Sequence, residues 1–138
     1  MPEKGCKVDK QSWEIGVVEL FYPDLAAAKA FYQDFFGLPV DREDDTSVSF
    51  VIGELVVILL TIDSARELVE PLSVATSGSG ARACFTIGVA DVDTVCGELA
   101  EQGFKPINGP VDRSWGPRAA YFADPGGYVF EFVTRKPD

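Results

Sequence analysis

Two segments of this chain repeat the same order of predicted elements. Residues 16–40 read as an apolar strand, an Asp, a helical run, a Gly and a second strand, and residues 83–107 repeat that order. In the alignment of the two segments, Asp24 matches Asp91. Each Asp is predicted to cap a helix, because its carboxylate can accept from the exposed N–H groups of the first turn. The duplication predicts a fold built from two similar halves.

The helical run of each half carries an apolar stripe at i, i+3, i+4, i+7 spacing, which predicts an amphipathic helix. The two stripes consist of Ala28, Phe31, Tyr32 and Phe35, and of Val92, Val95, Cys96 and Leu99. Gly37 and Gly103 follow the runs and suit the left-handed residue that ends a helix. A stripe of this kind usually packs against a sheet. We therefore assign Phe31, Phe35 and Cys96 to the core and not to a cofactor site.

Three further strands are predicted after each helix. They are residues 38–42, 47–52 and 55–62 in the first half, and residues 104–111, 118–123 and 128–134 in the second half. A tight turn at Gly53 and Glu54 joins two strands of the first half. In the second half, the DPGG sequence of residues 124–127 predicts a type II turn, with Pro at its second position and Gly at its third.

The chain divides into four parts by composition. They are a tail at residues 1–12, a first βαβββ module at 13–72, a linker at 73–81, and a second βαβββ module at 82–138. The first module ends with a short helix predicted in DSARELVEPL. The small residues of VATSGSGA are typical of a flexible linker.

The composition restricts the partners that the chain can have. It has 138 residues, of which 46% are apolar and 25% charged, as expected for one soluble globular domain. The formal charge is −10, which argues against nucleic acid and anionic membranes as partners, because both attract Lys and Arg. A cationic ligand would suit this charge, although excess Asp and Glu also favour solubility.

Location and metal chemistry are indicated by three further features. The polar N-terminus argues against a signal peptide, and the longest apolar run is too short to cross a bilayer. Three cysteines at scattered positions predict reduced thiols and a cytoplasmic protein. The sequence contains no histidine, the commonest metal ligand in proteins.

The sequence resembles the vicinal oxygen chelate superfamily, which includes glyoxalase I, extradiol dioxygenases, an epimerase of methylmalonyl-CoA and the bleomycin-resistance proteins. The resemblance is carried by IGVVELFYPDLAAAKAFYQDFFGL and by WGPRAAYFADPGGYVFEF, and it spans residues 13–135. It implies an α+β fold in which two tandem βαβββ modules form a cup-shaped mixed sheet around a ligand cavity. Many members are dimers, so a homodimer is expected.

Enzymes of this superfamily hold a divalent metal through side chains on the first and last strand of each module. In this sequence the corresponding positions are Val17, the apolar strand at 56–60, Cys84 and Glu131. One thiol and one carboxylate do not make a competent site, since catalytic zinc has three protein ligands and oxygen-preferring ions need several oxygens. We therefore expect no metal and no cofactor, with a non-standard site that uses Glu19 as the alternative.

Strand alternation selects the residues that line the predicted cavity. They are Trp13, Ile15, Val17, Glu19 and Phe21 on the first strand, Cys84, Thr86 and Gly88 on the first strand of the second module, and Val129, Glu131 and Val133 on the last strand. The direction of Tyr121 is left open. Arg118 is predicted to pair with Glu131 across the hairpin or with Asp124 at the turn. Trp115 is predicted either to close the end of the cup or to stack on a flat ligand.

The preferred hypothesis is a small-molecule-binding protein without a catalytic residue, similar to the bleomycin-resistance branch, whose members sequester a drug. The resemblance carries the binding role to Trp115, Arg118 and Glu131, and the aromatic and acidic lining favours a planar or cationic ligand. The predicted ligand-binding residues are Trp13, Val17, Glu19, Phe21, Cys84, Trp115, Arg118, Tyr121 and Glu131.

Two other hypotheses stay open. The first is a lyase, isomerase or dioxygenase of the same superfamily, with Cys84 as nucleophile, Glu131 as general base, or a non-standard metal site. No histidine is available to activate Cys84, although nucleophilic cysteines normally have a basic or cationic neighbour. The second is a structural or regulatory protein whose cup is filled by its own side chains.

Overall fold

A computed structural model of the chain describes residues 8–134. Its first module contains β1 (Val17–Tyr22), α1 (Leu25–Phe35), β2 (Arg42–Glu43), β3 (Ser47–Ile52), β4 (Leu55–Thr61) and α2 (Ile62–Val69). Its second module contains β5 (Ala83–Val89), α3 (Val92–Glu101), β6 (Asn108–Asp112), β7 (Arg118–Ala123) and β8 (Tyr128–Thr134). Short 3₁₀ turns lie at Lys10–Ser12 and Ser77–Ser79. The predicted α+β fold with two tandem βαβββ modules is confirmed.

Each module forms its own four-stranded mixed sheet. The first sheet has the order β1-β4-β3-β2 and the second has the order β5-β8-β7-β6. The parallel pairs β1–β4 and β5–β8 have equivalent registers. Glu19 corresponds to Thr86 in the alignment of the two modules; Glu19 lies beside Ile58 on β4, and Thr86 lies beside Glu131 on β8. The duplication seen in the sequence is therefore a duplication of strand register as well.

The helix boundaries follow the predicted caps. The Asp24 carboxylate accepts from the Ala27 N–H at 3.0 Å, and Asp91 accepts from the Asp93 N–H at 3.0 Å. Gly37 has φ of 64° and Gly103 has φ of 91°, which is the left-handed region that glycine enters at least cost. Both capping predictions are confirmed.

The strand boundaries differ from the prediction at three places. β1 begins at Val17, and Trp13, which was predicted to belong to the first strand, lies directly after the 3₁₀ turn at Lys10–Ser12. β2 consists of Arg42 and Glu43, whereas a strand over residues 38–42 was predicted. β6 begins at Asn108, and its register with β7 shifts before Val111 at a bulge, which an alternation pattern does not reveal.

The hairpin turn before β8 also differs from the prediction. The residue with positive φ in the DPGG sequence is Gly127, at 83°, whereas a type II turn needs it at Gly126. The Asp124 carboxylate accepts from the N–H groups of Gly126 at 2.8 Å and Tyr128 at 2.9 Å. This side chain therefore fixes the turn and overrides the preference expected from the Pro-Gly pair.

Helix α1 packs against both sheets, so that the two modules share one core. The Tyr32 ring lies 5.3 Å from the Phe50 ring of the first sheet and 6.0 Å from the Phe130 ring of the second. Phe35 lies 5.4 Å from Phe122 and 6.0 Å from Phe132. We call the side of each sheet that packs into this core its inner face, and the opposite side its outer face. The apolar stripe of α1 is a packing surface, as predicted.

A buried polar junction also joins the modules. The Tyr22 hydroxyl, on β1, donates to the Asp124 carboxylate, on the β7–β8 hairpin, and lies 3.3 Å from the Tyr32 hydroxyl. The Arg82 guanidinium donates to the carbonyl oxygens of Phe21 at 2.7 Å and Gly126 at 3.0 Å. Burial raises the pKa of the Asp124 carboxyl, and the hydrogen bond from Tyr22 opposes that rise.

No helix within residues 8–134 is long and apolar enough to cross a membrane.

Candidate functional site

The outer faces of the two sheets carry most of the residues selected by strand alternation. On β1, Leu20 and Tyr22 are buried in the core, whereas Val17 and Glu19 are exposed. On β8, Glu131 lies between the buried residues Phe130 and Phe132 and points the other way. Because both inner faces pack into the shared core, the two outer faces are directed away from it.

The outer face of the second sheet holds a polar cluster around Glu131. The Thr86 hydroxyl, on β5, donates to the Glu131 carboxylate at 2.6 Å. Tyr121 lies directly opposite Glu131 on the neighbouring strand, and the interaction with that carboxylate raises the pKa of the Tyr121 phenol. The structure thus places Tyr121 on the same face as Glu131, a point that the sequence left open.

Arg113 extends this cluster towards Trp115. Its guanidinium lies 5.0 Å from the centre of the Tyr121 ring and 5.4 Å from that of Trp115, and it donates to the Asn108 side chain at 3.0 Å. Its Nε is buried and has no hydrogen-bond partner within the described part of the chain. The Trp115 side chain is 78% exposed. Guanidinium and indole therefore form a surface beside Glu131 on which a flat molecule can stack.

Sequence reasoning did not select Arg113 or Asn108 for the site. The available signal was the position of Arg113 two residues before Trp115 in RSWGPR. Its partners come from β6 and β7, so their proximity depends on a bulged strand pairing that the sequence does not indicate.

The two partners predicted for Arg118 are wrong. Its guanidinium forms a two-point ion pair with Asp93 of α3, at 2.7 and 3.0 Å, and lies 3.5 Å from Asp112. Arg118 is three residues from Tyr121 on the same strand, so the two side chains point to opposite faces. Arg118 therefore pairs with neither Glu131 nor Asp124.

The predicted residues of the first module lie apart from the Glu131 cluster. Val17, 49% exposed, and Glu19 lie on the outer face of the first sheet, while Trp13 precedes that sheet and is 65% exposed. Phe21 is half-buried, and its backbone N–H donates to the Tyr128 hydroxyl at 3.0 Å. Val17, Glu19 and Phe21 therefore lie on a different sheet from the Glu131 cluster, and Trp13 lies outside both sheets.

The residues at the superfamily's metal positions do not fit a divalent metal. By strand register, the positions are occupied by Val17, Ile58, Cys84 and Glu131. Burial, together with the negative charge of Glu131, raises the pKa of the Cys84 thiol, so the thiolate that binds metals is disfavoured. Within residues 8–134, no group of three His, Cys, Asp or Glu side chains is arranged to hold a metal.

Comparison with known proteins identifies the family. The family model described as the Glyoxalase/Bleomycin resistance protein/Dioxygenase superfamily matches residues 14–132. The chain belongs to this superfamily. None of the curated proteins compared with the chain matches it.

Solved structures share the fold at low sequence identity. A glyoxalase/bleomycin resistance protein/dioxygenase from Nocardioides superposes with a TM-score of 0.80 at 20% identity, over 98% of this chain and 91% of that one. A lactoylglutathione lyase from Agrobacterium tumefaciens gives 0.69 at 23% identity, over 86% and 91%. A glyoxalase-related enzyme from Fulvimarina pelagi gives 0.70 at 21% identity, over 87% and 86%. At these identities the similarity establishes the fold.

Proposed function

We propose that this chain is a small-molecule-binding protein that recognises its ligand by stacking and charge, without a catalytic metal. The observation that carries the proposal is the cluster of Glu131, Tyr121 and Arg113 beside the exposed ring of Trp115. Ligand sites combine aromatic walls with a few placed polar groups. This cluster has both.

The cluster favours a planar organic ligand with a cationic or hydrogen-bond-donating group. Thr86 occupies one oxygen of the Glu131 carboxylate, and a carboxylate can accept several further hydrogen bonds. The Arg113 guanidinium, which adds a positive charge that we did not expect, can donate to an acceptor atom on the same ligand. A planar cationic antibiotic, bound and sequestered unchanged, has these properties.

The proposal includes a homodimer. Ligand pockets normally bury 70–90% of a ligand's surface, which one open sheet face does not provide. A second copy whose first-sheet outer face covers the Glu131 cluster would bring Glu19 and Val17 to the ligand. Exposed apolar residues support such an interface: Ile15 is 79% exposed and Trp13 65%.

We also propose a cytoplasmic location, supported by the free thiols of Cys84 and Cys96. We propose neither nucleic acid nor a membrane as a partner.

Tryptophan fluorescence tests this proposal. Titration with a panel of planar cationic antibiotics should quench the signal saturably at micromolar ligand, and Trp115→Phe should remove most of that response. Glu131→Gln should weaken binding about tenfold or more, since a hydrogen bond to a charged group contributes about 1.5–3 kcal/mol. Glu101→Gln, which removes an exposed carboxylate at the end of α3, is the matched control and should bind like the wild type.

Two results would count against the proposal. The first is the absence of saturable quenching across the panel, or quenching that Glu131→Gln leaves unchanged. The second is a stoichiometric Mn, Zn, Fe or Ni content in protein purified without chelator that is lost in Glu131→Ala. That result would favour the enzyme hypothesis.

A further inference from the structure

A cavity lies between the two modules, on the side of their inner faces. Its volume is about 380 Å³. The residues that define its walls are Val18, Leu55 and Val57 from the inner face of the first sheet and Phe85, Ile87 and Phe130 from the second module. We call it the inter-module cavity.

The cavity exists because α1 covers part of the inner face of the first sheet. Tyr22 and Leu59, near the ends of β1 and β4, are buried in the core and do not border the cavity. Val18 and Leu55, near the beginnings of these strands, are half-buried and border the cavity. In the second module, Phe85 of the edge strand β5 is also half-buried on the cavity side.

The lining excludes charged and strongly polar guests. None of its residues carries a charge, and a charged group would lose its hydration there without a counter-charge. Of its two hydroxyl groups, that of Tyr32 lies 3.3 Å from the Tyr22 hydroxyl, and that of Thr86 donates to Glu131. A water molecule needs two to four polar partners to be stable in a cavity. An apolar guest needs none.

We infer that the inter-module cavity is a second binding site, for a neutral apolar molecule such as an aromatic hydrocarbon or a short aliphatic chain. Its volume is in the range of small-molecule sites, about 300–1,000 Å³. Eleven residues line it, whereas a stable protein interface takes about 20–30 residues from each side. The cavity therefore matches a small molecule better than a segment of a second copy.

The neutral fluorophore N-phenyl-1-naphthylamine tests this site. We expect the full-length chain to enhance its fluorescence saturably, with one probe per chain. The double variant Val18→Phe/Leu55→Phe fills the cavity and should weaken binding at least tenfold. Ile107→Phe adds similar apolar area at a position that is 61% exposed, and it should bind the probe like the wild type.

Two further measurements separate cavity binding from other effects. Glu131→Gln should leave probe binding unchanged, so that failure of this site and failure of the outer-face site are distinguishable. Urea unfolding should show that the double variant is folded. If it is not, Val18→Leu, which adds one methylene, should weaken binding by about two- to threefold.

Three outcomes would overturn the inference. They are the absence of saturable probe binding by the wild type, equal binding by the wild type and a folded cavity-filling variant, and probe binding that falls as the protein concentration rises. The last result would mean that a second copy fills the cavity.

Discussion

Replacing Tyr22 with Phe tests the polar junction between the modules. The change removes the hydroxyl that donates to the buried Asp124 carboxylate and that lies beside the Tyr32 hydroxyl, and it leaves the aromatic packing in place. A hydrogen bond to a charged group contributes about 1.5–3 kcal/mol, and leaving a buried group unsatisfied adds to the loss. We expect the free energy of unfolding to fall by about 2–3 kcal/mol at neutral pH, which lowers Tm by roughly 7–10 °C in a chain of 138 residues.

The loss should depend on pH. Burial raises the pKa of Asp124 in the folded chain, so the native state binds this proton more tightly than the unfolded state. The contribution of Asp124 to stability is therefore fully present below its unfolded pKa and is lost as pH rises through its folded pKa. Because the Tyr22 hydroxyl stabilises the ionised carboxylate, Tyr22→Phe should lower the free energy of unfolding most at neutral pH and less near pH ~4.

Urea unfolding followed by circular dichroism at both pH values measures these differences. Tyr121→Phe is the matched control, since it removes a hydroxyl from a half-exposed ring on an outer face and should cost less than about 1 kcal/mol. The reasoning would be refuted if Tyr22→Phe cost no more than Tyr121→Phe at neutral pH. It would also be refuted if the cost were the same at both pH values.

Three further predictions concern single residues. Gly126→Ala should destabilise the chain by about 1–3 kcal/mol in urea unfolding, because the added Cβ would clash with the buried Tyr22 ring. Gly97→Ala on α3, where nothing lies within 4 Å of the added Cβ, should instead stabilise the chain by about 0.5–1 kcal/mol. A Gly97→Ala variant less stable than Gly126→Ala would contradict the packing. The Cys84 thiol, whose pKa is raised by burial and Glu131, should react slowly with iodoacetamide at neutral pH and faster in Glu131→Gln, as followed by peptide mass spectrometry; rapid wild-type labelling would argue against a protonated thiol. Arg118→Gln removes an exposed ion pair, so it should lower the free energy of unfolding by less than about 1 kcal/mol and leave ligand quenching unchanged. Arg113→Gln should weaken quenching. The opposite result would indicate that the ligand binds on the face of the sheet that carries Arg118.

Local patterns were sufficient for the order and type of the elements of this fold. Capping needs an Asp at the right position and a glycine after the helix, and both Asp24 and Gly37 act within one turn of chain. Strand alternation is equally local, so the outward direction of Glu131 follows once Phe130 and Phe132 are known to be buried. The bulge in β6 and the turn at residues 124–127 were not predictable, because the first depends on pairing with β7 and the second on the Asp124 side chain.

The composition of the site depended on long-range contacts. Arg118 looked like a partner for Glu131 because both residues lie in one hairpin, but Asp93 is near it only because α3 packs on β7. Arg113 was missed because its partners, Tyr121 and Asn108, come from two other positions along the chain.

The sequence by itself determined the duplicated modules, the helix caps and the lack of histidine, since each of these is encoded in neighbouring residues or in composition. The tertiary structure decided which module contacts which. It placed α1 between both sheets, directed the two outer faces away from the shared core, and left the inter-module cavity at the end of the first sheet that α1 does not cover. The physical reason is that strand alternation fixes the side to which a residue points, whereas packing between distant segments fixes what it meets there.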